Sequence, residues 1–512
     1  MKKLLVIHPF LFAIFPILFL ISHNIGQMVS FFEALMPTTI ILGFTFLLLL
    51  SSGMIFKDNK KAGIVVSISL ILFFSYGHVF NVIQGWEIGN FVIGRHRYLL
   101  LTWGTLFTCS AYFTIKTRRD LHNLTNILNV VALSLVVISL INIGVYEFKT
   151  RGIWQDNSRS AEDRETNTTD LGNAATPDIY YIILDGYASS STLKEIYDYD
   201  NHEFNDYLTE KGFYVASESR SNYAFTYLSL ASSLNMEYIN YLSSVVGVDS
   251  KDMKVPVQMI KDNKVMNFLK SRGYKSINFC SGWEPTNRNR YADLNIMCVG
   301  WSEFSMVLIR TTMLRVLERN LLEDPGRARV LCIFSKLSEA HRIEGPKFVF
   351  SHILSPHPPY LFGANGEPVP ATKFEMSGGI WRQKENYLNQ LIFVNKKVKI
   401  VVDEILSKSD VPPIIILQAD HGSASTFPDS NWPDRPTEKM LKEGMRIFNA
   451  YYLPPNSNDF LYDSITPVNT FRLVFNYYFD ANYELLDDQS YYSNWYKHPY
   501  EFINVTDKVK YD

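Results

Sequence analysis

The apolar positions of the chain fall into two regimes that meet near residue 147. Before it, five long apolar runs follow one another: Leu4–Ile21, Ala34–Phe56, Ala62–Ile83, Tyr98–Ile115 and Leu124–Tyr146. Each has about the 18–23 residues that cover a hydrocarbon core, and charge is nearly absent inside them. The pattern predicts an N-terminal five-helix transmembrane bundle over residues 1–146. The stretch 147–176, "EFKTRGIWQDNSRSAEDRETNTTDLGNAAT", is polar and charged, and it predicts a flexible linker.

From Pro177 short apolar strands alternate with amphipathic helices. "DIYYIILDG" reads as a strand, "HEFNDYLTEKG" as a helix closed by Gly212, and "FYVAS" as extended chain. "VMNFLKSRG" followed by "YKSINF" repeats the helix–glycine–strand pattern. "ENYLNQLIFVNKKVKIVVDEIL" predicts a long amphipathic helix that leads through "VPP" into the strand "IIILQADHG". This alternation predicts an α/β domain over 177–512, with a mostly parallel sheet covered on both faces. Ligands of such sheets gather outside the carboxyl ends of the strands.

Charge adds orientation. Lys2 and Lys3 precede the first run, Lys57, Lys60 and Lys61 follow the second, and Lys116, Arg118 and Arg119 follow the fourth. The alternate loops are poor in Lys and Arg except for Arg95 and Arg97. Positive charge marks the cytoplasmic side, so the N-terminus is expected inside and the α/β domain outside a plasma (inner) membrane. A cleaved signal peptide is the other reading of the first run, but "FLISHNIGQ" offers no small-x-small cleavage site. No run carries the buried acids or bases of a transport path, which favours a plain anchor. With 49 Lys+Arg against 51 Asp+Glu, the chain has no global basic field for nucleic acid.

Three predicted strands run into residues that bind metals or phosphate. "IYYIIL" ends in Asp185, "KFVFSHIL" carries His352 with His357 just after, and "IIILQA" ends in Asp420-His421-Gly422. In a parallel sheet all three sets converge on one edge, and carboxylates with imidazole suit Zn²⁺ or Mn²⁺. Singly, each has a plain alternative: Asp185 as a cap or turn residue, Asp420-His421-Gly422 as a turn, and either histidine as a core hydrogen-bonder.

Together, "PDIYYIILDGYASSSTL", "FSHILSPHPPY" and "ILQADHGS" resemble the alkaline phosphatase superfamily. More narrowly they are similar to its sulfatase-like, membrane-anchored branch, which includes lipoteichoic acid synthases and lipid A phosphoethanolamine transferases. The resemblance implies one divalent metal, Zn or Mn, with room for a second, held by Asp185, Asp420, His421 and a nucleophilic hydroxyl at a helix start. In "SNYAFTYLSLASSLN", Thr226 opens a Thr-x-x-Ser-Leu pattern like that of the transferases, so Thr226 is the implied nucleophile. Ser229 is the alternative, Ser221, Ser232 and Ser233 lie close by, and helix capping is the plain structural role. His352 and His357 match the spacing of the transferases' histidines, which implies contact with the substrate phosphate.

The resemblance implies transfer of a phospho-head group from a membrane phospholipid donor to a surface glycan acceptor, through a phospho-threonine intermediate. A hydrolase or phosphodiesterase using water is the alternative, and a non-catalytic binding protein is a third reading. The Cys/Ser-x-Pro-x-Arg motif of the classical sulfatases is missing, and Asp185 is followed by Gly186, where they usually carry a second acid. Sulfate-ester hydrolysis is therefore not expected. Residues 282–345 match no pattern. Cys280 and Cys298, on either side of "SGWEPTNRNRYADLNIM", form a candidate disulfide in an oxidising compartment, with two buried thiols as the alternative.

Overall fold

The computed structural model describes residues 5–25, 31–88, 91–159, 176–298, 303–317, 325–369, 378–428, 432–454 and 459–511. The chain divides into two compact units, residues 1–165 with 301–323, and residues 166–300 with 324–512.

The first unit is helical. Its helices are α1 (His8–His23), α2 (Phe31–Phe56), α3 (Asn59–Ile83), α4 (His96–Lys116) and α5 (His122–Arg159). A small hairpin, β1 (Glu87–Ile88) with β2 (Phe91–Val92), joins α3 to α4. Among the described residues, four helices are long and apolar enough to cross a membrane: Glu33–Phe56, Asn59–Ile83, His96–Lys116 and His122–Phe148. The fifth, α1, is a shorter apolar helix of 16 residues that buries Ala13, Ile17 and Ile21. Asp58 starts α3 by accepting from the backbone N–H groups of Lys60 and Lys61, which satisfies donors that a helix start leaves open.

Two features depart from the expected organisation. The segment expected as a flexible linker is partly helical, because α5 runs on to Arg159; no proline interrupts it. Its remainder, 160–175, lies outside the described residues. Residues 301–323, expected within the external domain, belong to the first unit. The reason is apolar surface. The helix Glu303–Thr311 places Phe304 and Leu308 in one core cluster with Ala13, Ile17, Val66 and Leu70.

The second unit is a three-layer α/β domain. Its seven-stranded sheet has the order β4-β9-β8-β3-β7-β5-β6. The strands are β3 (Ile179–Leu184), β4 (Tyr214–Val215), β5 (Lys275–Phe279), β6 (Leu294–Ile296), β7 (Lys347–Ile353), β8 (Ile414–Gln418) and β9 (Asn449–Tyr452). Strands β6, β5, β7, β3 and β8 pair in parallel, and β9 runs antiparallel to both β8 and β4. A separate hairpin joins β10 (Tyr491–Asn494) to β11 (His498–Asn504). Every residue of β3, β7 and β8 is buried, as the continuous apolar runs predict for strands covered on both faces. The helices include α6 (Ser190–Tyr197), α7 (His202–Glu210) and α8 (Thr226–Asn235). The late segment Pro467–Phe479 is a core helix that buries Phe471, Val474 and Phe475.

The expected Cys280–Cys298 disulfide is not made. Cys298 bonds Cys332, on the helix Pro325–Leu337, with Cα atoms 5.5 Å apart, and Cys280 is buried outside that disulfide. Sheet register explains it. Phe279 pairs with Ile296, so Cys280 lies level with Met297, and Cys298, one residue on, alternates to the other side.

Candidate metal centre

Strand β3 is the middle of the site. Ile183 pairs with His352 on β7 and with Gln418 on β8, so three parallel neighbours end at one level. Asp185 follows β3, His352 lies on β7 with His357 beyond it, and Asp420-His421 follow β8. The carboxyl ends of adjacent strands therefore present acidic and imidazole groups side by side, as parallel pairing requires.

The geometry is tight. His352 Nε2 lies 3.4 Å from Asp185 Oδ2, and His421 Nε2 lies 3.5 Å from both Asp185 Oδ1 and Asp420 Oδ2. These separations are long for hydrogen bonds. Two ligands on one tetrahedral zinc-sized ion at 2.0–2.1 Å stand about 3.3–3.4 Å apart, which matches. Two overlapping sets result, Asp185 with His352 and Asp420, and Asp185 with His357 and His421. In each, one donor atom per residue lies within 4.8 Å of the others. Asp185 Oδ1, His352 Nε2 and Asp420 Oδ2 are buried with no hydrogen-bond partner. Buried polar atoms without hydrogen-bond partners, on residues whose donor atoms lie this close together, are costly in a dry interior unless a cation joins them. The donor set fits a divalent metal.

The outer nitrogens are all engaged, which aims Nε2 inward. His421 Nδ1 contacts the Gly422 carbonyl oxygen at 2.7 Å, His357 Nδ1 contacts that of Pro358 at 2.5 Å, and His352 Nδ1 contacts Thr286 Oγ1 at 2.9 Å. Donation from Nδ1–H to a carbonyl leaves Nε2 as the ligating nitrogen. Asp420 Oδ1 accepts from the Gly186 N–H at 3.1 Å, and the Asp185 carbonyl accepts from the His357 N–H at 2.9 Å.

Electrostatics agree. Burial alone would raise the Asp185 carboxyl, but His357, His352 and His421 outweigh it and hold it well below the usual carboxylate range. Burial would lower His421, yet Asp420 and Asp185 push its imidazole above the ordinary value. The two acids demand positive charge, and a bound cation supplies it without a proton.

The turn after β8 has its own support. Glu443, fully buried, accepts from Ser423 Oγ at 3.0 Å, Ser425 N at 2.5 Å and Thr426 N at 2.8 Å. Gly422 passes so close that a Cβ there would meet the Glu443 carbonyl oxygen at 2.1 Å, which is why only glycine fits.

The structure brings Asp185, His352, His357, Asp420 and His421 together. His352 is fully buried, whereas His357 is half-exposed with Trp381 edge-on at 4.9 Å. Thr226 is half-exposed at the first position of α8, and α8 is tied to the site one turn later, where Ser229 Oγ donates to the Asp420 carbonyl at 2.6 Å. Ser221 lies before α8 and contacts Met445 Sδ at 3.7 Å, while Ser232 and Ser233 donate to the carbonyls of Glu237 and Leu230. Sequence reading missed Thr286, which lies in the stretch without a pattern, and Glu443; neither carries a local signal.

No curated protein sequence matches the chain. Among solved structures, the C-terminal periplasmic domain of EcEptC from Escherichia coli is 11% identical, with 66% of this chain and 94% of that chain covered and a TM-score of 0.44. The integral membrane lipooligosaccharide phosphoethanolamine transferase A (EptA) from Neisseria meningitidis is 11% identical, with 91% and 94% covered and a TM-score of 0.40. A protein in the alkaline phosphatase superfamily from Vibrio parahaemolyticus is 9% identical, with 64% and 74% covered and a TM-score of 0.38. A family model described as Sulfatase matches residues 177–447, more than half of the 512 residues and a span that holds Asp185, Thr226, His352, His357, Asp420 and His421: the chain belongs to the sulfatase family.

Proposed function

We propose that the chain is a metal-dependent phosphotransferase of the cell envelope. In this reading it takes a phospho-head group from a membrane phospholipid and passes it to a hydroxyl of a surface glycan, with Thr226 carrying the group in between. The observation that carries the reading is the convergence of unpaired buried atoms of Asp185, His352 and Asp420 at a sheet edge, beside the helix that Thr226 opens.

Asp185, Asp420, His421 and the Thr226 hydroxyl would hold one Zn²⁺ or Mn²⁺, and His357, with the Asp185 carboxylate shared, offers room for a second. Such an ion lowers the pKa of a hydroxyl and neutralises phosphoryl charge. Thr226 Oγ attacks phosphorus; the Oγ–P bond forms as the P–O bond to the lipid breaks, and the lipid oxygen leaves with a proton as diacylglycerol. The amino end of α8 favours the anionic group, and His357 presents Nε2 to a phosphoryl oxygen. The acceptor oxygen then bonds phosphorus as the Oγ–P bond breaks. The apolar helices hold the domain at the plasma (inner) membrane, N-terminus cytoplasmic and catalytic domain outside, where a lipid donor is within reach.

The half-exposure of Thr226 and His357 admits water, which supports a hydrolase or phosphodiesterase as the second reading. Mass spectrometry of the Thr226 peptide, from protein purified with its lipids, tests both. An adduct with the mass of a phospho-head group is expected on Thr226. An adduct on Ser221 or Ser229 overturns the nucleophile. Release of free head group with no modified acceptor selects the hydrolase.

A further inference from the structure

The helix Lys384–Lys408 lays Leu391, Val394, Val398 and Val402 along its buried side. Gln390 stands in the same stripe, and its side chain is wholly shielded from water. A primary amide in that setting is costly unless both of its ends are bonded.

Both ends are bonded, and to one loop. Nε2 donates to the carbonyls of Pro356 at 3.1 Å and His357 at 3.0 Å, with a longer approach of 3.5 Å to that of Pro359. Oε1 accepts from the backbone N–H of Leu361 at 2.6 Å and of Phe362 at 3.3 Å. The partners fix which end is which, because a flipped amide would set oxygen against carbonyls and N–H against N–H. Pro356, Pro358 and Pro359 strip three donors from this loop, so its carbonyls have few local partners. The Gln390 amide supplies donors to the proline-rich half and an acceptor to the half that follows.

One turn earlier, Tyr387 does the same for the loop after β3. Its hydroxyl donates to the Gly186 carbonyl at 2.9 Å and accepts from the Ala188 N–H at 3.1 Å. A single helix face thus grips both the loop that follows Asp185 and the loop that carries His357.

We propose that Gln390 is the positioning residue for His357: its amide clamps the loop Pro356–Phe362 so that the imidazole stays beside Asp185 and His421. The significance of that position rests on the proposed metal centre; the clamp itself does not. Gln390→Glu keeps size and acceptor but turns a carboxylate oxygen toward the carbonyls, and Gln390→Met keeps size and removes both functions.

The test is the rate at which diethyl pyrocarbonate modifies each histidine of the full chain in detergent, read by mass spectrometry. Either variant is expected to raise the rate at His357 about tenfold, the change in loop population that losing about 1.4 kcal/mol of hydrogen bonding allows. Exposed His202 and half-exposed His498 serve as controls, and buried His352 is expected to stay unreactive. An unchanged His357 rate in a folded variant overturns the proposal. If His352 also accelerates in Gln390→Glu, the fold has loosened generally and Gln390→Met decides; a shared rise there overturns the proposal too. Added Zn²⁺ separates the two ideas. Protection of wild-type His357 is expected from the metal reading, and its absence sinks that reading at His357, while the clamp still stands or falls by the Gln390 variants.

Discussion

Ser229 Oγ donates to the carbonyl oxygen of Asp420 at 2.6 Å, which fastens the first turn of α8 to the turn that ends β8. The Ser229 hydroxyl is therefore committed to the backbone, while Thr226 lies one turn nearer the start of the helix. Ser229→Ala is expected to cost about 1–3 kcal/mol of stability, from the unsatisfied buried carbonyl, and to leave any adduct on Thr226. Thermal melts and peptide mass spectrometry check this; an adduct that vanishes in a folded Ser229→Ala protein would reverse the assignment.

Asp185 is common to both ligand sets. Asp185→Asn is expected to lower Zn²⁺ affinity by more than about 100-fold, exceeding the usual effect of an outer-shell change. Titration calorimetry on detergent-purified protein reads it directly.

Thr286 Oγ1 contacts Nδ1 of His352 at 2.9 Å, and His352 belongs to one of the two candidate ligand sets. Thr286→Val keeps the shape and removes the hydroxyl that orients the ring, so a loss of about 10–100-fold in metal affinity is expected. Wild-type affinity in that variant would show that packing against Trp283, whose ring centroid lies 5.6 Å away, suffices to hold His352.

Metal binding should depend on pH through His421. Burial opposes its charge, but Asp420 and Asp185 raise its pKa, so the metal-free protein keeps this proton further up in pH than an ordinary imidazole does. A metal must displace it. Apparent affinity is therefore expected to climb with pH, by about tenfold per unit for one proton, and to level off above the raised pKa. Asp185 is held below the usual carboxylate range and contributes no proton there. Zn²⁺ titrations from about pH 5.5 to about pH 8.5 give the slope; a flat profile removes His421 from the ligand set.

The Cys298–Cys332 bond spans a sequence separation of 34, for which chain entropy gives about 3–4 kcal/mol. Cys332→Ser is expected to lose that stability, and Cys280→Ser is not. Denaturant unfolding with and without reductant compares them.

What is legible in the sequence follows from how local its causes are. Continuous apolar runs such as "IYYIIL" and "IIILQ" mark strands buried on both faces, and their parallel pairing brings Asp185, His352 and Asp420 to one edge. The antiparallel β9 carries no such mark, because its place beside β8 is a matter of long-range pairing. The disulfide partner of Cys298 escapes the sequence for the same reason. Gln390 does leave a trace, a polar residue inside an apolar helical stripe, but its target loop is contiguous with it only in space. Thr286 leaves none, since a threonine is ordinary on any short helix.

The chain passes between the two units three times, because residues 301–323 leave the α/β unit and return to it. A soluble fragment beginning at Pro177 would therefore carry Phe304 and Leu308 away from Ala13, Ile17, Val66 and Leu70, the residues that cover them. Cutting before Pro177 frees the sulfatase domain of its five N-terminal helices yet gives it a sticky apolar helix in exchange. Such a fragment is expected to self-associate. Trimming 301–323 while keeping Cys298 and Cys332, which close the chain on either side, is the shorter route to a well-behaved catalytic domain.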